Sequence, residues 1–150
     1  MGWLSWFTIG IVSLLAVGIV TIMIAARNAP RPGGLGIVNG RLAACRGPEN
    51  CVSSQDGMLE PFTYDSNRES ARKRLQEIVL SMLRAAVVAD ESDYLAVTFR
   101  SRFFGFIDDV EFQLSTQDRT IHFRSGARQG RSDFNVNRTR IEAIRAEFEE

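Results

Sequence analysis

Asp108, Asp109 and Glu111 lie within four residues of one another in the run Phe106–Phe112 (FIDDVEF). Carboxylates this close can hold a cation or divide the roles of general acid and general base. The alternating run around them reads as a strand, which places Asp109 and Glu111 on one face. Asp108 then points the other way or lies in the preceding loop. On the shared face the pair is expected to meet Arg100 and Arg124 in an ionic network, and ligand spacing of the EF-hand type is absent. With Ser53 or Ser54 as a hydroxyl, Asp108, Asp109 and Glu111 would suit a small hydrolase, the alternative function. His122 is the only histidine; it falls in a strand pattern, and no Ser-His-Asp order can be assembled around it.

A second candidate site is Ser125–Asn137 (SGARQGRSDFNVN). Its glycines allow close backbone approach, Arg128 and Arg131 supply charge, and a helix start follows. Ser125, Arg128, Arg131, Asn137 and Arg138 are therefore the candidate residues for an anion such as a phosphate or lipid headgroup. The alternative is a loop in which Asp133 and Asn137 cap the helix and the arginines are solvated.

Cys45 and Cys51 are the only cysteines. As zinc ligands they need two more partners, and one histidine does not complete the set. Their spacing is not the C-x-x-C of thioredoxin-like redox sites. A structural disulfide is favoured over free thiols, with neither metal nor cofactor expected. Disulfides persist in oxidising compartments, which draws the domain to the periplasmic side of a membrane.

Several elements must position these residues. Ser66 followed by Glu69 matches a capping box, and Leu75, Ile78, Val79, Met82, Leu83 and Ala86 follow at helical spacing. Val87–Ala89 suggests a short strand, with Asp90–Asp93 as its turn. Leu95, Val97 and Phe99 alternate with Ala96, Thr98 and Arg100; Val110, Phe112 and Leu114 with Glu111 and Gln113; Ile121 and Phe123 with His122 and Arg124. If Gln117 and Asp118 centre the hairpin loop, Glu111 faces Arg124 and Gln113 faces His122. A one-residue slip would turn the apolar set outward, so this register should be firm. Asn135 or Asn137 can cap a last helix bearing Ile141, Ile144 and Phe148. The fold expected is α+β: a mostly antiparallel sheet of about four strands with two helices on one face.

Trp3–Ala26 holds no charged residue. As a helix it would extend roughly 36 Å, enough for a hydrocarbon core of about 30 Å. It lacks the basic start and short apolar region of a secretory signal, so an uncleaved anchor over residues 1–26 is expected. Residues 27–36 (RNAPRPGGLG) read as a short irregular linker, and 37–150 as one soluble domain. Arg27 and Arg31 alone would place that domain in the cytoplasm by the positive-inside rule, a small bias against the cysteines. Acidic and basic residues balance at 18 each, which argues against a general nucleic-acid binder.

Four blocks of this sequence together resemble the family catalogued as domain of unknown function 1499. They are Leu35-Gly36 with Asn39-Gly40-Arg41-Leu42; Cys45 with Asn50–Gln55; Phe106–Phe112; and Arg124–Arg128 with Gly130, Ser132-Asp133 and Asn137-Arg138. Gly126 departs from the Ala expected there. The resemblance implies an exported or membrane-tethered domain and no agreed activity. The expected protein is thus a single-pass accessory module of a bacterial inner membrane with a periplasmic domain. It would bind a membrane protein complex or an anionic lipid headgroup.

Overall fold

The computed structural model describes residues 2–47 and 49–150. An apolar helix, α1 (Trp3–Arg27), leads into an α+β domain, the class expected. α1 is long and apolar enough to cross a membrane, and its side chains are almost all exposed. In water that exposure would be prohibitive for a stripe-less apolar helix; in a bilayer it is the expected state.

The large sheet contains six antiparallel strands: β3 (Cys51–Ser53), β4 (Phe62–Thr63), β5 (Ala85–Asp90), β6 (Tyr94–Arg100), β7 (Ile107–Leu114) and β8 (Thr120–Ala127). Their order is β3-β8-β7-β6-β5, and β4 pairs with the same edge of β8 further along. β1 (Ile37–Val38) and β2 (Arg41–Leu42) form a separate two-stranded ladder. The sheet is larger than the four strands expected because β3 and β4 are too short to show alternation. The β7–β8 register pairs Glu111 with Arg124 and Gln113 with His122, as the alternation requires.

Two helices, α2 (Arg68–Ser81) and α3 (Val136–Glu149), cover one face. Leu75, Ile78 and Val79 of α2 and Ile141, Ile144 and Phe148 of α3 are buried with Val97, Val110, Phe112 and Phe123 of the sheet. The caps differ from those expected. Asn67, not Ser66, caps α2 by accepting from the Ser70 amide at 2.9 Å. Asn135 occupies the cap position of α3 with a left-handed backbone and no side-chain bond, while Asn137 lies inside the helix. The Asp133 carboxylate serves there, accepting from the Asn135 and Asn137 amides at 3.0 and 2.9 Å.

The opposite, outer face of the sheet is covered by residues 29–42, the end of the linker with β1 and β2. Ala29 is buried, the Gly36 amide donates to Glu111 at 2.6 Å, and Leu42 packs with Tyr94 and Ala96. Residues 28–36, expected as an irregular linker, form no helix or strand; they make an irregular strap in which Ala29 and Gly36 bond to the domain. Cys45 and Cys51 are joined, their Cα atoms 5.7 Å apart. The bond fixes the strap's end to β3. Gly126, opposite Cys51 on β8, leaves room for it, since a Cβ there would stand 3.0 Å from the Cys51 sulfur. Cys45→Ser should cost about 2 kcal/mol by the chain-entropy estimate, read as a lower denaturation midpoint with the circular-dichroism spectrum retained.

Candidate functional site

The candidate residues gather around β7, divided between its two faces. On the helix-facing side, Asp108 accepts from Arg140 of α3 at 2.7 Å. Arg140 also donates to Asn137 Oδ1 at 2.8 Å and lies over the Phe99 ring, 4.5 Å from its centroid. The Ser125 hydroxyl donates to the same Asn137 oxygen at 2.5 Å, and the Asn137 amide group donates to Asp133 at 2.7 Å. Ser125 and Asn137 are fully buried. Burial pushes the Asp108 carboxyl above its ordinary value, against the opposing pull of the Arg140 guanidinium.

On the outer side, Arg128 clasps Asp109 through two parallel hydrogen bonds of 2.8 Å. Its remaining nitrogen donates to the Ala29 carbonyl, also at 2.8 Å. The hydrogen bonds to Asp109 raise the Arg128 pKa beyond its already high value. Glu111, wholly buried, accepts from the Tyr94 hydroxyl at 2.7 Å and the Gly36 amide, while Arg124 approaches it at 3.4 Å. Burial, and then the bond to Glu111, hold the Tyr94 hydroxyl protonated far above its usual range. Among the described residues, Arg124 Nε is the one buried side-chain nitrogen without a partner.

The structure therefore separates residues the sequence grouped. Arg100 does not join the outer network: it faces Ile107 across the ladder, is exposed, and reaches the Arg27 carbonyl at 3.5 Å. Arg128 takes its place on Asp109. The five anion candidates do not converge. Ser125 and Asn137 are committed inside the helix-facing layer, Arg128 is bound to Asp109 on the other side, and Arg131 is exposed. Arg138 turns to Glu142 at 3.5 Å. Nor do the serines of the hydrolase alternative approach the acids through these bonds. Ser53 Oγ is buried and accepts from the Gln55 amide. Ser54 Oγ accepts from the Phe123 amide at 3.0 Å and stands 3.2 Å from His122 Nδ1.

Four contributors escaped sequence reasoning: Arg140, Tyr94, the Ala29 carbonyl and the Ser54–His122 contact. A signal existed for two. Arg140 lies one turn beyond Asn137 and next to Ile141, so it borders the buried face of α3. Tyr94 shares the Ala96–Thr98 face of β6, the face that carries Asp109 and Glu111 on β7.

The Phe106–Phe112, Asn50–Gln55 and Arg124–Arg138 blocks thus supply most members of two polar clusters, one on each face of β7. A family model described as "Protein of unknown function (DUF1499)" matches residues 41–148. The chain belongs to this family. Neither the curated proteins nor the solved structures compared with it include a match. Relative to the DUF1499 match, α1 and most of the strap lie outside, yet the strap supplies Ala29 and Gly36 to the outer cluster. Within the DUF1499 domain the three carboxylates are each neutralised by an arginine. The arrangement acts as a clamp that joins β7, β8, α3 and the strap. Among the described residues no group of three or more His, Cys, Asp or Glu side chains is placed to hold a metal ion.

Proposed function

We propose that this DUF1499 protein is a membrane-anchored accessory module whose extracytoplasmic domain is held in a fixed orientation at the membrane surface. The observation that carries this reading is the union of the anchor's end with the sheet. Gln129 donates to the Ala25 carbonyl at 3.3 Å, Arg100 to Arg27 at 3.5 Å and Arg128 to Ala29 at 2.8 Å. A tethered domain that only needed to stay near the bilayer could use a flexible linker; here the linker is bonded to the sheet's side chains at Ala29 and Gly36. The Cys45–Cys51 bond supports the oxidising side of the membrane. Protease added to intact spheroplasts is expected to digest the domain, with cytoplasmic markers spared. Complete protection until the membrane is broken would place the domain in the cytoplasm and overturn the reading.

A further inference from the structure

The β6–β7 loop carries Phe103, Phe104 and Phe106, and the loop before α3 carries Phe134. Phe103 is 73% exposed and Phe134 91% exposed. The Phe104 and Phe106 ring centroids lie 5.8 Å apart with their planes tilted by 45°, and a groove of about 390 Å³ runs between the two loops, lined by all four rings and Val136. Phe134 and Asn135 both have left-handed backbones, with φ of 53° and 64°. That conformation is unfavourable for a bulky side chain, and such strain commonly marks a functional position. Here it holds an aromatic ring in the open.

This apolar surface sits beside the end of α1. Gly105, at φ +77°, is so close that a Cβ there would lie 2.7 Å from Arg27 Cγ. Only a residue without a side chain lets the loop press against the helix at that point. Gln129, which borders the groove, bonds the Ala25 carbonyl. Arg27 is the first charged residue after the apolar run, so in a bilayer it marks the headgroup level. The phenylalanines joined to it occupy the same level. Arg102, whose guanidinium is 5.4 Å from the Phe103 ring centroid, and Arg27 add positive charge at the rim. Aromatic and aliphatic side chains edged by arginine are the composition of surfaces that lie in the membrane interface.

Resting on the reading of α1 as an anchor, we infer that Phe103, Phe104, Phe106 and Phe134 form a second membrane contact. It enters the interface of the adjacent leaflet, beside anionic headgroups, and sets the domain's orientation. The opposite end of the sheet, the β7–β8 turn, stands off by the length of an eight-residue strand, roughly 26 Å.

The test uses the full chain in vesicles of phosphatidylcholine with about one quarter phosphatidylglycerol, with Trp3 and Trp6 replaced by Phe. A single tryptophan is introduced as Phe103→Trp or, in the β7–β8 turn, as Gln117→Trp. Both positions are exposed, so neither change disturbs the core. Bromine on the lipid chains should quench the tryptophan of Phe103→Trp several-fold more than that of Gln117→Trp, with blue-shifted emission for the former only. Equal, weak quenching in a chain that floats with the vesicles and resists carbonate extraction would overturn the second contact and leave the anchor standing. A chain that carbonate strips from the vesicles would overturn both. Blue-shifted but unquenched emission from Phe103→Trp would mean a protein surface covers the patch, and would also overturn the inference.

Discussion

Arg128→Ala is expected to destabilise the domain by about 3–5 kcal/mol, the usual cost of removing one partner of a buried ion pair. Asp109 would remain with its side chain 4% exposed, without the two donors that now satisfy it. The Ala29 carbonyl would lose its donor as well. The exposed pair Arg138–Glu142 offers the contrast, because Arg138→Ala should cost at most about 1 kcal/mol. Replacing both buried partners, as Arg128→Met with Asp109→Leu, should restore most of the loss, since no charge is then stranded. Urea unfolding of the full chain in detergent, followed by circular dichroism, gives these values. Trypsin should also cut faster at Arg27 in Arg128→Ala, because the strap is released at Ala29. A loss below about 1 kcal/mol in that variant would mean that the clamp does not hold the sheet to the strap.

Phe62→Ala should cost a similar amount, about 3–5 kcal/mol, for a different reason. Phe62 is completely buried, with the rings of Phe112, Phe123 and Phe148 at 6.3, 5.1 and 6.0 Å. Arg145 of α3 lies over its other face at 4.5 Å and donates to the Pro61 carbonyl. Truncation opens a cavity where the sheet meets α3, and the surrounding rings are too rigid to fill it. The denaturation midpoint should fall at nearly unchanged slope, the mark of lost stability without a change in the denatured state. Phe62→Leu keeps most of the volume and should lose distinctly less. If Phe62→Ala stayed within about 1 kcal/mol of the parent, the two-residue β4 would be a surface ornament and not a wall of the core.

The buried faces of α3 and of α2 as far as Val79, and the central register, were legible in the sequence. Met82, Leu83 and Ala86, expected to continue the helix, lie beyond the end of α2 at Ser81, with Ala86 in β5. An uncharged run the length of α1 needs no tertiary partner to be read, because composition alone sets its preference for hydrocarbon. Alternation placed Asp109 and Glu111 on one side of β7 and Asp108 on the other, and set Glu111 against Arg124, because a strand's period of two leaves only one register that buries its apolar set. Ile141, Ile144 and Phe148 likewise marked the buried face of α3.

Which arginine meets Asp109 was settled only in three dimensions. Arg100 and Arg128 both flank Asp109 in the chain's charge pattern, but a long side chain can reach many points, and periodicity gives its face without its partner. The end of β6 leaves Arg100 in solvent at the helix junction, whereas β8 brings Arg128 under the strap, where burial makes its bidentate bond to Asp109 worth keeping. β3 and β4 were invisible because two or three residues carry no measurable period. Their strand character comes from the free edge of β8, which supplies the hydrogen bonds. The Pro- and Gly-containing strap also looked locally like a spacer. Its order arises from contacts as remote in sequence as Ala29 with Arg128 and Gly36 with Glu111, and no local pattern encodes such pairs.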